Sequence, residues 1–268
     1  MTRRTLRRIF RHRHCVTMPG QETGDSSIGL MERPEPQGLH AGSRANGAGH
    51  EQDGAAEVTF LRRRLIHAQV DTIMTLVAAV EAKDPYTERH SVHVPKYAER
   101  FARAMQLTER ETEVIKIAAL LHDSGKIGVP DTVLTKPGRL TPEEYTVVKQ
   151  HPVTGASILR SATSLRRELP LVLHHHEWYN GSGYPRGLKG EDIPLGARIL
   201  SVADAVDAMA YPRSYKRGLN LEEVASELEN CSGTQFDPVV ARVALRWLRD
   251  YPEELVTDAR SVRPDEAP

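Results

Sequence analysis

A set of histidines and aspartates in separate helical segments is the feature that most constrains the fold of this chain. The adjacent residues His122 and Asp123 end an apolar helical run, and a second pair, His175 and His176, stands just before a glycine-rich stretch. Adjacent residues in the middle of a helix point to different faces, but near a helix end they can converge on one cation. A fold that uses both pairs together must bring several helix ends to one point.

Three further residues complete this set: His90, His151 and Asp204, each in a segment whose pattern predicts a helix. A single histidine near an apolar helix is more often a core residue than a ligand, so none of them is informative alone. Imidazoles and carboxylates gathered from several helices are what a two-metal phosphoesterase site requires. Asp123 is the natural bridge, because each of its two oxygens can reach a different cation.

The sequence pattern predicts helices in the folded part of the chain and shows no convincing alternation of the kind that predicts strands. Apolar residues spaced four and three apart predict a leading helix over residues 58–82. The same spacing suits a short coiled-coil seam, so this helix either packs on the domain's own core or forms a homodimer. A seam of about two heptads is short for a coiled coil, which favours the core.

Helix starts and breaks are marked by capping residues and by proline and glycine. Capping boxes predict three starts, at Thr108 with Glu111, Thr141 with Glu144, and Asn220 with Glu223. Asp237-Pro238 opens a last helix that runs to about Arg249. Breaks are predicted at Gly125–Gly138 and Asn180–Pro194, and both directly follow candidate ligands, where a helical scaffold would open to admit a substrate.

Composition excludes several classes of protein. Residues 1–57 hold too few large apolar residues to offset their ordering entropy and are predicted to be disordered, with a basic start that either touches an acidic surface or is a solvated tail. The formal net charge is zero, which indicates no nucleic-acid polymer as partner. No apolar run approaches the length of a membrane span. Cys15 and Cys231 lack CxxC spacing, which indicates a reducing cytoplasm and excludes a cysteine-based zinc site.

Over residues 65–250 the chain resembles an HD-GYP domain, a branch of the HD phosphohydrolase superfamily. The resemblance rests on motifs in the family's order, including Leu120-Leu121-His122-Asp123, Gly125-Lys126, His151-Pro152, His175-His176-Glu177, Gly181-Ser182-Gly183-Tyr184-Pro185, Ala203-Asp204 and Phe236-Asp237-Pro238. It implies an all-α helical bundle followed by a C-terminal tail over 251–268. The implied activity is hydrolysis of cyclic di-GMP to pGpG, with GMP as a further product left open, through a hydroxide activated by two metals.

The resemblance also implies a ligand set. One metal would be surrounded by His90, His122, Asp123 and Asp204, and a second would be held by His151, His175 and His176, with Asp123 as the bridge. Ligation without thiolate favours iron or manganese and leaves zinc open. Members with a third metal carry a glutamate at the position of Tyr86, so a two-metal site is expected.

Further residues match positions that contact the substrate in the family. Lys126 resembles a phosphate-facing lysine and would act in catalysis together with Asp123. Arg213 and Lys216 match a basic pair suited to a bis-phosphate ring. Tyr184 lies in the signature loop, Gly181–Pro185, where it would either stack on guanine or simply pack. That loop is also a candidate contact for a protein partner.

Several residues depart from the family pattern. Arg89 replaces a glycine, His93 an arginine and Asn180 an aspartate, while Met209–Pro212 replaces a leucine- and threonine-containing stretch. These departures leave room for another cyclic dinucleotide or nucleotide as substrate, or for a non-catalytic cyclic di-GMP sensor or interaction module. His174 precedes the paired histidines on what should be the same helix and is interpreted as a neighbour, not a ligand.

Overall fold

Helices make up the regular structure of the computed structural model, which describes residues 90–211 and 218–255 together with Thr72 and Thr75. These residues belong to one compact unit, Asp71–Pro268. Among them the bridge between Ser232 and Phe236 is isolated and forms no strand, so the predicted all-α class is confirmed. None of the described helices is long and apolar enough to cross a bilayer.

The helices follow one another with short connections. They are α1 His90–Ala104, α2 Glu109–Leu121, α3 Asp131–Leu134, α4 Pro142–Val148, α5 His151–Leu159, α6 Leu169–His174, α7 Leu195–Ala210, α8 Leu221–Cys231 and α9 Pro238–Asp250, with 3-10 turns at Ser124–Gly128, Thr163–Leu165 and Gly190–Asp192. Thr72 and Thr75 are helical. The rest of the predicted leading helix and residues 1–57 lie outside the described residues.

The predicted helix starts are confirmed. Thr108, Thr141 and Asn220 each accept a hydrogen bond from a main-chain N–H three residues later, and the glutamate there accepts one in return. Asp237 caps α9 by accepting from the N–H groups of Val239 and Val240 at 2.7 and 3.4 Å. Such a cap stabilises a helix by about 1 kcal/mol, because it satisfies N–H groups that the helix leaves unpaired.

Two details differ from the prediction. The first predicted break contains the one-turn helix α3, which is too short to produce a periodic pattern. The paired histidines do not share a helix with His174, because α6 ends at that residue. A tight turn follows, in which Glu177 N donates to His174 O at 3.0 Å.

The core is formed mainly by α1, α2, α7 and α9, and an aromatic cluster lies where α1 and α9 meet. Phe101 is fully buried, and its ring lies 5.7 Å from that of Trp247 in an edge-on arrangement. Tyr97 makes a similar contact with Trp247 at 5.4 Å. The packing continues past α9, since Leu255 is buried and Glu254 pairs with Arg100 at 3.3 Å.

Gly125 allows the turn that follows the His-Asp pair to lie directly against the start of α5. A Cβ at this position would lie 1.9 Å from His151 O and 2.5 Å from Gly155 N, both main-chain atoms. Only a residue without a side chain fits this approach. The contact sets His151 beside Asp123, and the position of α5 therefore depends on this glycine.

We expect Gly125→Ala to lower the free energy of unfolding by about 3 kcal/mol, because α5 would have to move away from the turn. Gly128→Ala is the matched control. Its Cβ would meet the flexible Thr154 side chain at 3.1 Å, and it should cost less than about 1 kcal/mol. Denaturant unfolding of both variants measures the difference. Equal stability of the two would show that the close approach is unimportant.

Candidate metal centre

Helix ends bring together the seven residues predicted to bind metal. His90 and His151 begin α1 and α5, His122 and His175 follow the ends of α2 and α6, and Asp204 lies inside α7. Asp123 and His176 each follow one of these histidines. All five histidines are at most 9% exposed. Imidazoles from separate parts of the chain therefore converge in the interior of the domain.

The first cluster consists of His90, His122 and Asp204, whose candidate ligand atoms all lie within 4.8 Å of one another. The Nε2 atoms of His90 and His122 are 3.2 Å apart. Asp204 Oδ1 lies 3.7 Å from His90 Nε2. Two imidazoles and a carboxylate in this arrangement could hold one divalent cation.

The second cluster consists of His151, His175 and His176, which satisfy the same 4.8 Å limit. The Nε2 atoms of His151 and His175 are 3.2 Å apart. His176 packs on His175 with ring centroids 4.0 Å apart. This cluster offers three neutral donors.

Asp123 lies between the two clusters and turns one oxygen toward each. Its Oδ2 is 3.6 Å from His90 Nε2 and 3.5 Å from His122 Nε2, while its Oδ1 is 3.4 Å from His151 Nε2. The geometry expected of a bridging carboxylate is therefore present in the protein.

Main-chain carbonyls orient three of the imidazoles. The Nδ1 atoms of His122, His151 and His175 donate to Ala119 O at 2.6 Å, Val148 O at 2.8 Å and Val172 O at 2.7 Å, respectively. A carbonyl only accepts, so each Nδ1 carries a proton and Nε2 of the neutral ring presents its lone pair. Metal-ligating histidines are commonly oriented in this way.

The Nε2 lone pairs of His151 and His175 face each other at a distance that suits a bound cation. Burial lowers the pKa of His151 to about 4, and burial also lowers the pKa of His175 well below its usual range. Both rings are therefore neutral, and two lone pairs face each other across 3.2 Å. Nitrogen ligands about 2.1 Å from one cation are separated by roughly 3.0–3.4 Å, which matches this distance.

The carboxylates around His90 in the first cluster stabilise positive charge at this position. Burial opposes protonation of His90, but hydrogen bonds to Asp123 and Asp207 and the charges of Asp207 and Asp204 raise its pKa to about 10. Burial also opposes ionisation of Asp123, but the charges of Lys126 and His122 hold the pKa of this carboxyl well below its usual range. An ionised carboxylate at the centre of a histidine cluster is what a cation site requires.

Lys126 lies at the edge of this centre, with its Nζ 2.7 Å from Asp123 Oδ2. The position brings an ammonium group close to the candidate bridge. The other predicted basic residues, Arg213 and Lys216, lie outside the described residues.

The signature loop folds back on the second cluster. Tyr184 N donates to His176 O at 3.1 Å, and the two rings lie 4.9 Å apart. Tyr184 therefore packs on His176, and its stacking on guanine stays a prediction. Asn180 Oδ1 accepts from Ser182 N at 2.9 Å, so asparagine retains the turn-forming ability expected of it.

Two buried carboxylates that the sequence did not single out support the centre. Glu177 is 2% exposed and accepts from Arg186 N at 2.7 Å and Leu188 N at 3.1 Å. These hydrogen bonds fix the segment that directly follows the signature loop. Asp207 accepts from His90 and His93, and these hydrogen bonds lower its pKa despite burial. Helical spacing was the available signal for Asp207, which lies one turn after Asp204.

His174 belongs to neither cluster, as predicted. Its Nδ1 lies 3.4 Å from Glu177 Oε1, on the loop side of the paired histidines. It therefore serves as a matched control for its neighbour His175.

Comparisons with known proteins agree with this architecture. The model of the HD domain family matches residues 74–240. The chain is 42% identical over 188 residues to a cyclic di-GMP phosphodiesterase of Thermotoga maritima, covering 69% of this chain and 50% of that protein. It is 40% identical to the cyclic di-GMP phosphodiesterase response regulator RpfG of Xanthomonas campestris, covering 66% and 47%. The chain spans about half the length of these relatives.

Other matches concern a related nucleotide and the fold. A 3'3'-cGAMP-specific phosphodiesterase of Vibrio cholerae is 37% identical, covering 68% of this chain and 35% of that protein. The solved structure of an HDGYP protein from Bdellovibrio bacteriovorus aligns with a TM-score of 0.50 at 24% identity, covering 60% of this chain and 51% of that one. This structural likeness concerns the fold alone.

We expect His175→Asn to lower manganese affinity by more than about 100-fold, since the loss of an outer partner alone costs roughly 10- to 100-fold. His174→Asn, one residue earlier, should leave the affinity unchanged. Titration of metal-free protein with Mn²⁺ gives both values, and circular dichroism verifies folding. Equal losses in the two variants would contradict the ligand assignment.

Proposed function

This chain belongs to the HD domain family, as its resemblance to HD-GYP domains predicted, and we propose that it is a metal-dependent phosphodiesterase that hydrolyses cyclic di-GMP. We propose the linear dinucleotide pGpG as the product, with further cleavage to GMP as the alternative. The relatives named as cyclic di-GMP phosphodiesterases support the substrate. The family model covers residues 74–240, which include both histidine clusters.

The position of Asp123 carries the proposal. Its two oxygens face two separate imidazole clusters at 3.4–3.6 Å, an arrangement suited to a pair of cations. We assign His90, His122, Asp123 and Asp204 to one cation and His151, His175 and His176 to the other. When bound, the cations would activate water as the nucleophile and neutralise charge on the phosphoryl group.

The residues of the chain would position the phosphodiester and receive its charge. Lys126 places its ammonium beside the bridging carboxylate, within reach of a phosphoryl group held there. Water would attack phosphorus and lose a proton to solvent as the bond between phosphorus and the 3′-oxygen breaks. Lys126 would stabilise the negative charge that develops on the 3′-oxygen, which then takes up a proton from solvent. Arg213 and Lys216 are proposed to bind the second phosphate of the ring.

The nature of the ligands favours iron or manganese. Five imidazoles and two carboxylates, without thiolate, form a set that suits borderline and harder divalent cations. Zinc is also compatible with imidazole. We propose two cations, because a candidate cluster lies on either side of Asp123.

A second cyclic dinucleotide is the alternative substrate. The 37% identity to a 3'3'-cGAMP-specific phosphodiesterase favours the hybrid ring as a candidate. His93, Asn180 and Met209–Pro212, where the chain departs from the family pattern, are the positions that would alter base selection. A non-catalytic sensor is the weaker reading, because the ligand set is complete.

Three further predictions concern partners and cellular location. A homodimer through residues 58–82, a protein partner at the signature loop and a cytoplasmic location stay predictions.

We expect protein purified without oxygen and supplied with Mn²⁺ or Fe²⁺ to convert cyclic di-GMP to pGpG. Asp123→Asn should lower kcat by at least ~10³-fold, equivalent to about 4 kcal/mol of transition-state stabilisation, because the bridge would lose its charge. Chromatography separates cyclic di-GMP, pGpG and GMP, and parallel reactions with 3'3'-cGAMP test the alternative. Absence of turnover on either nucleotide despite stoichiometric metal would contradict the proposed activity.

A further inference from the structure

Two carboxylates of one helix lie beside the imidazole of His90, one hydrogen-bonded to Nδ1 and the other near Nε2. Asp204 Oδ1 lies 3.7 Å from its Nε2, and Asp207 Oδ2 lies 2.7 Å from its Nδ1. The two aspartates are three residues apart on α7, so they share one face of the helix. A single turn of α7 therefore contacts the ring on the side that faces the candidate cation and on the side that faces away from it.

His90 differs from the other oriented ligands in the kind of group behind it. The Nδ1 atoms of His122, His151 and His175 donate to main-chain carbonyls, whose positions follow from the helices themselves. The acceptor behind His90 is a side chain, which has rotamers of its own and must be fixed by further contacts. One substitution of this acceptor can therefore abolish the orientation of the His90 ring without altering the main chain.

His93 supplies the contact that fixes this carboxylate. Its Nδ1 lies 3.0 Å from Asp207 Oδ1, so the two carboxylate oxygens are each engaged by a different imidazole. The ring of His93 packs 5.2 Å from that of Tyr211, and the Asp207 side chain is 5% exposed. Both hydrogen bonds are thus shielded from water, and this shielding strengthens them.

We propose that Asp207 is a positioning residue of the metal centre, which directs His90 Nε2 toward the first cation, and that His93 holds Asp207 in place for this task. The inference rests on the proposed function, because it presupposes a cation in the first cluster. With Asp207 present, Nδ1 is committed to this carboxylate, and Nε2, which faces Asp204 and His122, is the nitrogen directed toward a cation. Without it, the ring is free to rotate or to carry its proton on Nε2, a form that does not ligate metal.

The test is a Mn²⁺ titration of the full chain after metal removal by dialysis against EDTA, with the wild type fitted to two sites. Asp207→Ala should weaken one site by about 10- to 100-fold and leave the other within about 3-fold. Asp237→Ala is the matched control, since this carboxylate is also buried but caps α9. It should lower thermal stability without changing either affinity.

His93→Phe keeps an aromatic ring beside Tyr211 and removes the donor to Asp207. The His93→Phe variant should bind Mn²⁺ about 3- to 10-fold more weakly at the same site. If Asp207→Ala does not fold, His93→Phe tests the positioning role of Asp207 in its place. Unchanged affinities in folded Asp207→Ala, or in His93→Phe where the alanine variant does not fold, would overturn the positioning role. An equal loss in Asp237→Ala would also overturn it, because the effect would then reflect destabilisation alone.

The same titration separates this inference from the activity on which it rests. Unchanged affinities in Asp207→Ala beside a wild type that binds two cations and hydrolyses cyclic di-GMP would overturn the positioning role and leave the function standing. A wild type that binds no Mn²⁺ would overturn both.

Discussion

Imidazole lone pairs that face one another inside a protein repel, and this repulsion is the constraint on which the rest of the structure depends. His151 and His175 present their Nε2 atoms to each other at 3.2 Å, while their Nδ1 protons are committed to carbonyls. Water has little access, because both residues are at most 2% exposed. A cation between the rings converts this repulsion into ligation, and the carboxylate of Asp123 extends the same arrangement toward the first cluster.

Main-chain carbonyls at helix ends orient three of these imidazole rings. The last carbonyls of a helix have no partner within the helix. Ala119, Val148 and Val172 lie at the ends of α2, α4 and α6, and each accepts the Nδ1 proton of a histidine three residues later. One hydrogen bond thus satisfies a carbonyl and aims an imidazole inward. This explains why most of the ligands lie at helix ends, and why Gly125, which seats one such end against the next, matters for the site.

Much of this architecture could be predicted from residue types and spacing. Capping boxes identified the starts of α2, α4 and α8, since the cap and its glutamate act locally, and the resemblance placed the histidines of both clusters. Asp207 was missed because its spacing from Asp204 indicates a shared helix face but does not identify its partner, His90, which lies 117 positions away in the sequence. Glu177 was missed as a support of the loop for a similar reason: its partners are main-chain N–H groups whose positions follow from the loop conformation. The one-turn helix α3 is too short to produce a period.

Anomalous diffraction from crystals grown with Mn²⁺ tests the central claim most directly. We expect two peaks about 3.5–4 Å apart, one beside His90, His122 and Asp204 and one beside His151, His175 and His176, with an oxygen of Asp123 on each. A single peak, or two peaks that do not share Asp123, would contradict the bridging carboxylate around which the helices are arranged.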